Sequence, residues 1–473
     1  MGYVTPLLRG RRLTCFAFAR ILVSGYLGDL RDLQQDATTG VRTLAVQFGL
    51  ARSVRGSYIW QALTAVGWVG AIALGWVAAA GALLLAPAAI GVRCFAVWLS
   101  RPADPSWSSS CTTSSSSASG SCCCSRYRRI AAQFPRARRA ATLPGVRYFL
   151  TGATGFIGRR LATKLREEGH DVVVLVREPS RAQDLREIGC EIRQGDICDA
   201  ESMRGAMRAV DGVFHLAAWY RIGADEPDVA RRINVEGTRN VLTLMRELKI
   251  PRGVYTSTIA VFSDTRGQLV DEGYRYDGPM LNVYERTKHE AHYDVALPMI
   301  REGLPLVIVM PSVVYGPGDP SEIGKTLQLY LKRKLPVIPK GTAYGWAYVD
   351  DVVDGHIAAM DEGRIGESYL LAGPAHTLAE VMKVAERITS IPGPRVRAPA
   401  AVLRVAAKAA GVLERFVNLP TTYRSETLRT SAGVTAIGSS AKAREQLHWQ
   451  PRPLEIGLAQ TLTEMLDSPG PGR

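Results

Sequence analysis

Between Val146 and Gly158 the chain reads Val-Arg-Tyr-Phe-Leu-Thr-Gly-Ala-Thr-Gly-Phe-Ile-Gly, and this stretch narrows the fold more than any other. Residues of strand propensity run directly into Gly152-x-x-Gly155-x-x-Gly158, after which Leu161, Ala162 and Leu165 recur at helical spacing. A strand that passes to a helix through three such glycines forms the turn of a doubly wound sheet that accepts a dinucleotide. Gly152 permits the tight turn, Gly155 lets the backbone approach a pyrophosphate, and Gly158 lets helix and strand pack closely. Thr154, Phe156 and Ile157 complete the turn, where the free N–H groups of a helix N-terminus face phosphate charge. The expected fold class is α/β: a Rossmann doubly wound parallel sheet with a small C-terminal substrate lobe, preceded by an α-helical membrane-type segment.

From Val146 onward strand and helix patterns alternate, as a parallel sheet requires. The expected core is 146–318 and the expected lobe 319–473, with Tyr348–His356 returning to the core. Asp171–Val176 reads as a buried second strand, and Arg177 follows it. An acid at this strand end would read a ribose 2′-hydroxyl, whereas an arginine suits a 2′-phosphate. Arg177 thus favours NADP(H), with Arg181 a weaker second candidate, while the adjoining Glu178 keeps NAD(H) open. Asp196 and Ile197 follow a third strand; Asp196 either accepts from an adenine amino group or closes a turn. Ala217 and Ala218 end a further strand with side chains small enough for a cofactor to come close. His215 on that strand reads as a packed residue, and Asn234 as support for the sheet.

The chemistry is carried by a strand with a hydroxyl-rich end, Val254-Tyr-Thr-Ser-Thr258, followed after a gap by Tyr284-Glu-Arg-Thr-Lys288. Residues i and i+4 share a helix face, so Lys288 stands beside Tyr284. A phenol titrates near 10, too high for proton transfer at neutral pH, and neighbouring positive charge brings it closer to range. Thr258, or its neighbour Ser257, supplies a hydroxyl to orient a substrate oxygen.

These residues resemble the extended short-chain dehydrogenase/reductase family over about 146–467, most closely its dihydroflavonol-reductase-like and hopanoid-associated sugar epimerase members. The resemblance implies Tyr284 as general acid/base, Lys288 as the residue that binds the nicotinamide ribose and tunes the tyrosine, and Thr258 as the hydroxyl member. Pro311-Ser-Val313 is similar to the family's segment beside the nicotinamide, and Tyr348-Val-Asp-Asp351 with His356 to an element that supports the lobe. The implied reaction is hydride transfer at a carbonyl or alcohol carbon of a small or lipid-linked substrate, with a homodimer as the expected assembly. A nucleotide-sugar epimerase or dehydratase with tightly held NAD is the alternative. A regulator that binds cofactor without turning over is the weakest reading.

Ahead of Val146 the sequence has another character. Asp29, Asp32 and Asp36 lie at i, i+3 and i+7, on one face of a helix, where carboxylates need a cation between them. Magnesium holding a diphosphate would serve. This motif, with Gly40-Val-Arg-Thr-Leu44, resembles the second aspartate motif of UbiA-type intramembrane prenyltransferases, over about residues 15–100. The family's first motif is absent, so 1–100 reads as a remnant or a truncated partner, with magnesium-dependent prenyl transfer by this segment the less favoured alternative. Residues 57–92 carry no charge, enough for one or two membrane helices, since a span takes about 20 apolar residues. Flanking arginines would keep both ends, and the catalytic domain, on the cytoplasmic side of the membrane. Residues 101–145 form a Ser/Cys then Arg-rich linker. It reads either as a polybasic lipid contact or as upstream translation, because 1–145 contain no Lys and no Glu.

The net charge of +14 does not indicate nucleic acid. Nine arginines against the single Asp104 fall between Arg93 and Arg147, and no aromatic residues are interleaved with basic ones elsewhere. Eight cysteines without a paired C-x-x-C framework read as reduced thiols of a cytoplasmic compartment.

Overall fold

The computed structural model describes residues 145–467, apart from 222–225, 336, 415–418 and 420–423. Asp29, Asp32, Asp36, the apolar stretch 57–92 and the linker to 144 lie outside the described residues, as does the start of the chain. Among the described residues no helix is long and apolar enough to cross a membrane.

Seven parallel strands make the main sheet: β1 (Arg147–Thr151), β2 (Asp171–Val176), β3 (Glu191–Gln194), β4 (Gly212–His215), β5 (Gly253–Thr256), β6 (Leu306–Pro311) and β10 (Ser368–Leu371). Their order is β10-β6-β5-β4-β1-β2-β3. The direction of winding therefore reverses between β1 and β4, and ligands of such sheets bind at that crevice. Most of these strands are buried on both faces, which is why they read as continuous apolar runs without alternation.

Side-chain alternation along each strand then divides the core in two. Phe149, Val173, Val213 and Tyr255 pack to one side, with the helices α2 (Ala200–Met207) and α3 (Thr238–Glu247). Leu150, Val172, Val174 and Phe214 pack to the other, under α1 (Phe156–Glu167) and α5 (Val349–Asp361). In α1, Gly158, Leu161, Ala162 and Leu165 are the buried residues, one stripe at i, i+3, i+4 and i+7. The helix carrying Tyr284 is α4 (Val283–Glu290), which continues through a π turn, Ala291–Ala296. Asn282 caps it, its side chain accepting from the Glu285 N–H at 2.8 Å.

A third core, centred on Tyr315, Trp346, Tyr348 and Leu458, belongs to the lobe. It is built on a small sheet in which β9 (Ala343–Tyr348) pairs with β7 (Val313–Tyr315), β11 (Ala375–Thr377) and β13 (Thr435–Ala436). The helices α6 (Leu378–Thr389) and α9 (Leu454–Asp467) cover it. The return of the chain to the main sheet is longer than the expected Tyr348–His356. It runs through all of α5 and on to β10, which pairs with β6 from Ser368 to Leu371.

Two buried polar joints hold lobe and sheet together. Arg452 forks onto the Asp351 carboxylate at 2.7 and 2.9 Å and lies over the Tyr348 ring at 3.9 Å. His356 donates from Nδ1 to the Val352 carbonyl at 2.8 Å, which leaves Nε2 to accept from the Thr256 hydroxyl at 2.9 Å. Burial pushes this imidazole down to about 4, so it stays neutral.

Near the C-terminus, α7 (Ala400–Leu413) and α8 (Ser425–Thr430) form a helical pair. The apolar spacing over 402–417 (Leu403, Val405, Ala406, Leu413, Phe416 and Val417) reads as a face that packs on the lobe or else covers an apolar substrate. Phe416 and Val417 lie outside the described residues. Leu403 and Ala406 are half-buried, whereas Val405 and Leu413 are exposed together with Val402 and Val412, and the buried residues of α7 are Ala407 and Ala410.

Candidate active site

The glycine turn sits at the reversal point. Gly152 has φ +77°, and a Cβ there would meet the Ala217 nitrogen at 2.7 Å, so only glycine fits between the ends of β1 and β4. A Cβ on Gly158 would stand 2.2 Å from the Gly152 carbonyl oxygen. Gly155 is the N-cap of α1 and no side chain caps the helix, so its first N–H groups remain open beside exposed Thr154. An uncapped helix end in a backbone-only cradle fits the pyrophosphate of a dinucleotide. Phe156 and Ile157 are half-buried, the latter packed against core from both the sheet and the lobe.

At the end of β2, Arg177 and Arg181 are exposed and, with Thr154, Val176 and Glu178, line a small hollow of about 30 Å³. Asp196 accepts the Cys198 N–H on Oδ1 at 2.9 Å, which gives it a turn-closing role. The Ile197 side chain lies in the core against Gly237, and its carbonyl is taken by Asn240 at 2.9 Å. Ala217 is half-buried and Ala218 exposed at the end of β4. Pro311 is buried at the end of β6, and Val313 is half-buried on β7, paired with Trp346.

Around α4 the geometry is specific. The Thr258 hydroxyl accepts the Ala260 N–H at 3.1 Å and lies beside the Tyr284 phenol, whose ionised form it favours. Ser257, one residue earlier, bonds instead to His292 Nδ1 at 2.9 Å and is buried. Neighbours on an extended chain point opposite ways, so one hydroxyl reaches the phenol and the other turns away. Lys288 is buried and donates to the Tyr255 phenol at 3.0 Å and to the Thr256 carbonyl at 2.8 Å. Its ammonium also lies 4.6 Å from the centroid of the Tyr255 ring. A lysine has three N–H donors, so these two acceptors leave one to face outward.

Burial pushes the Lys288 ammonium down to about 7. Burial likewise pushes Tyr284 up to about 12; the Thr258 hydroxyl pulls it down and the Glu285 carboxylate pushes it up. The Lys288 ammonium is turned toward Tyr255 and Thr256. Glu285 itself is raised to about 7 by burial, against three hydrogen bonds from Leu281 N–H, Ser263 and Asn282.

Several supporting residues were not singled out by the sequence. The Tyr255 phenol bonds to Thr238, whose hydroxyl donates to the Asn234 carbonyl at 2.7 Å. Thr238 therefore accepts from His215 Nε2 at 3.0 Å, and Nδ1 accepts from the Thr151 hydroxyl at 2.8 Å. His215 stays neutral, pushed down to about 3 by burial and then by Lys288, and is packing and not chemistry. Asn234 reaches further than the sheet: its amide binds the Trp219 backbone on both sides and donates to Thr287 of α4 at 2.9 Å. Tyr220 meets the Tyr284 ring edge-on at 4.9 Å. The alternation of β5, which puts Tyr255 on the same face as Ser257, is the signal that could have found it. Among the described residues no group of three His, Cys, Asp or Glu side chains could hold a metal.

Comparison with known proteins agrees with this geometry. The model of the NAD dependent epimerase/dehydratase family matches residues 148–372. A Synechocystis sp. protein assigned as a dihydroflavonol 4-reductase is 32% identical over 260 residues, 53% of this chain and 75% of that one. Sterol demethylase protein B of Methylococcus capsulatus is 31% identical over 269 residues, 56% of this chain and 81% of its own. The crystal structure of gox2253 superposes with a TM-score of 0.60 at 30% identity, covering 68% of this chain and 98% of that one.

Proposed function

The chain belongs to the NAD dependent epimerase/dehydratase family and is an NAD(P)-dependent oxidoreductase or epimerase, and within that frame we propose that it is a reductase or dehydrogenase. The substrate of this reading carries a carbonyl or alcohol carbon on a small or lipid-like body, and the preferred cofactor is NADP(H). One observation carries it: Tyr284 and the buried Lys288 stand one turn apart on α4, with the Thr258 hydroxyl at the end of β5 beside the phenol.

When bound, the nicotinamide dinucleotide supplies or accepts the hydride. The open N-terminus of α1 would hold its pyrophosphate, and Arg177, with Arg181 near it, would meet a 2′-phosphate. Tyr284 gives its proton to the substrate oxygen in reduction and takes it back in oxidation. Thr258 positions that oxygen and stabilises the phenolate left behind. Lys288, with two N–H groups fixed inward, directs the third to the site and adds positive charge close to where the phenolate forms. The names of the sterol and dihydroflavonol relatives support an apolar, polycyclic substrate.

Glu178 in the same hollow as Arg177 supports a second reading, in which NAD is held tightly and regenerated within each cycle of an epimerase. Mass spectrometry of nucleotide released on denaturing the purified protein separates the two. A site that is empty on purification and titrates with NADPH supports the reductase, whereas stoichiometric NAD with none added overturns it.

A further inference from the structure

Among the described residues twelve large apolar side chains stand exposed, and five of them fall in one short stretch: Val396, Val402, Val405, Val412 and Leu413. Chance would scatter them, and single exposed apolar residues need no explanation. Here Val405, Ala409 and Val412 follow one another along a single face of α7, and Val402 and Leu413 widen it. Val396, 61% exposed on β12 (Val396–Ala398), the parallel partner of β8 (Val337–Pro339), stands at the head of the same segment.

The charge of this segment is one-signed. Arg395, Arg397, Arg404 and Lys408 are exposed and form no ion pair among the described residues. From Arg395 to Leu413 there is no acid and no aromatic residue. Glu414, the next acid, is turned inward onto the Ser425 N–H at 2.6 Å and hydroxyl at 2.8 Å. An apolar stripe with cations on its flank decides the partner. A second copy would bring four cations against four. A nucleic acid would leave the valines wet and find no ring to stack on. An anionic bilayer surface satisfies both halves, acyl chains taking the valines and head groups the cations.

We propose that α7, with the strand before it, is an interfacial helix that seats this protein on anionic lipid. The site is separate from the cofactor crevice, and it does not rest on the reductase reading. It is nonetheless mechanically close to the chemistry. α7 packs on α8, where Glu426 accepts the Val283 N–H at 2.9 Å and Arg429 donates to the Leu281 carbonyl at 3.0 Å, at the head of the helix that carries Tyr284.

Hydrogen exchange of the full-length chain, read peptide by peptide, tests this with vesicles of phosphatidylglycerol and of phosphatidylcholine. The expected result is slowed exchange over residues 396–414 with phosphatidylglycerol, little change with phosphatidylcholine, and loss of the effect in high salt. The double variant V405D/V412D should bind phosphatidylglycerol through this segment roughly tenfold or more weakly, because two valines no longer leave water. Both substitutions lie on an exposed face, and unchanged dinucleotide binding by the variant shows that the fold is intact. Unaltered exchange over 396–414 while other segments respond to vesicles overturns the proposal. Protection that appears with rising protein concentration and no lipid also overturns it, in favour of a second copy.

Discussion

Ser257 and Thr258 are adjacent, yet their hydroxyls serve opposite sides of one backbone: Ser257 bonds to His292 at 2.9 Å, and Thr258 lies beside the Tyr284 phenol and favours its ionised form. Two residues that look interchangeable in the sequence are therefore separable by experiment. Thr258→Ala should lower kcat by about 100-fold or more, and Thr258→Ser should recover most of it, since only the hydroxyl is needed. Ser257→Ala should leave kcat within a few-fold and act through stability, because it strands a buried imidazole nitrogen. Equal losses of kcat from both alanine variants would remove the distinction.

Tyr284→Phe removes the proton that moves and little else. Turnover should fall by about 100- to 10,000-fold while the dissociation constant for NADPH stays within twofold, measured by nucleotide fluorescence. A variant that keeps its turnover would take Tyr284 out of the mechanism.

Lys288 links pH to both binding and stability. Its folded value is lowered to about 7 from 10.5, so between those values the unfolded chain carries the extra proton and stability rises with pH. Below about 7 both states are protonated, and the cost of burying the ammonium is fully present. Lys288→Met should therefore gain stability over the natural chain most at about pH 6 and least at alkaline pH, read from urea midpoints. A gain independent of pH would show that Lys288 is not titrating as described.

The phenol of Tyr255 accepts from that ammonium, so it favours the charged form. Tyr255→Phe keeps the ring and loses the acceptor. The Lys288 value should drop by about one unit, and with it the alkaline limb of dinucleotide binding, which falls as pH rises and the ammonium is lost. An unmoved limb would assign it to another group.

Arg177→Glu reverses the charge that lines the hollow at the end of β2. NADP(H) should bind roughly tenfold or more weakly, as for the loss of a hydrogen bond to a charged group, while NAD(H) changes little. Isothermal titration with each cofactor checks this, and equal losses would overturn the NADP preference.

Much of the fold could be read from the glycine turn and the apolar strands, because strands buried on both faces announce themselves as unbroken Val, Ile and Leu. The position of Tyr284 and Lys288 on one helix face was legible for the same local reason. What was not legible depends on contacts across the chain. Nothing near Lys288 says that Tyr255, 33 positions earlier, will accept a hydrogen bond from its ammonium. Nothing near Asn234 says that it will bridge Trp219 to Thr287. The expectation for 402–417 was met only in part among the described residues: Leu403 and Ala406 are half-buried, whereas Val405 and Leu413 are exposed. Helical spacing of apolar residues reports a periodic face, and it does not report whether protein or something else covers it.

The last strand of the main sheet has a consequence for how the protein is made. During synthesis β6 emerges with Leu306–Pro311 buried in the finished fold, but its outer neighbour, β10, is still uncoded by the ribosome until Ser368–Leu371. At about 5–20 residues per second, that leaves an apolar strand with an unpaired edge for several seconds in each nascent chain. Only the first part of the lobe, β7 and β9, is translated before β10 can close the sheet, and the rest follows it. A ribosome that stalls between Ser312 and Glu367 thus releases no smaller enzyme, but a six-stranded template that recruits other nascent chains or a chaperone.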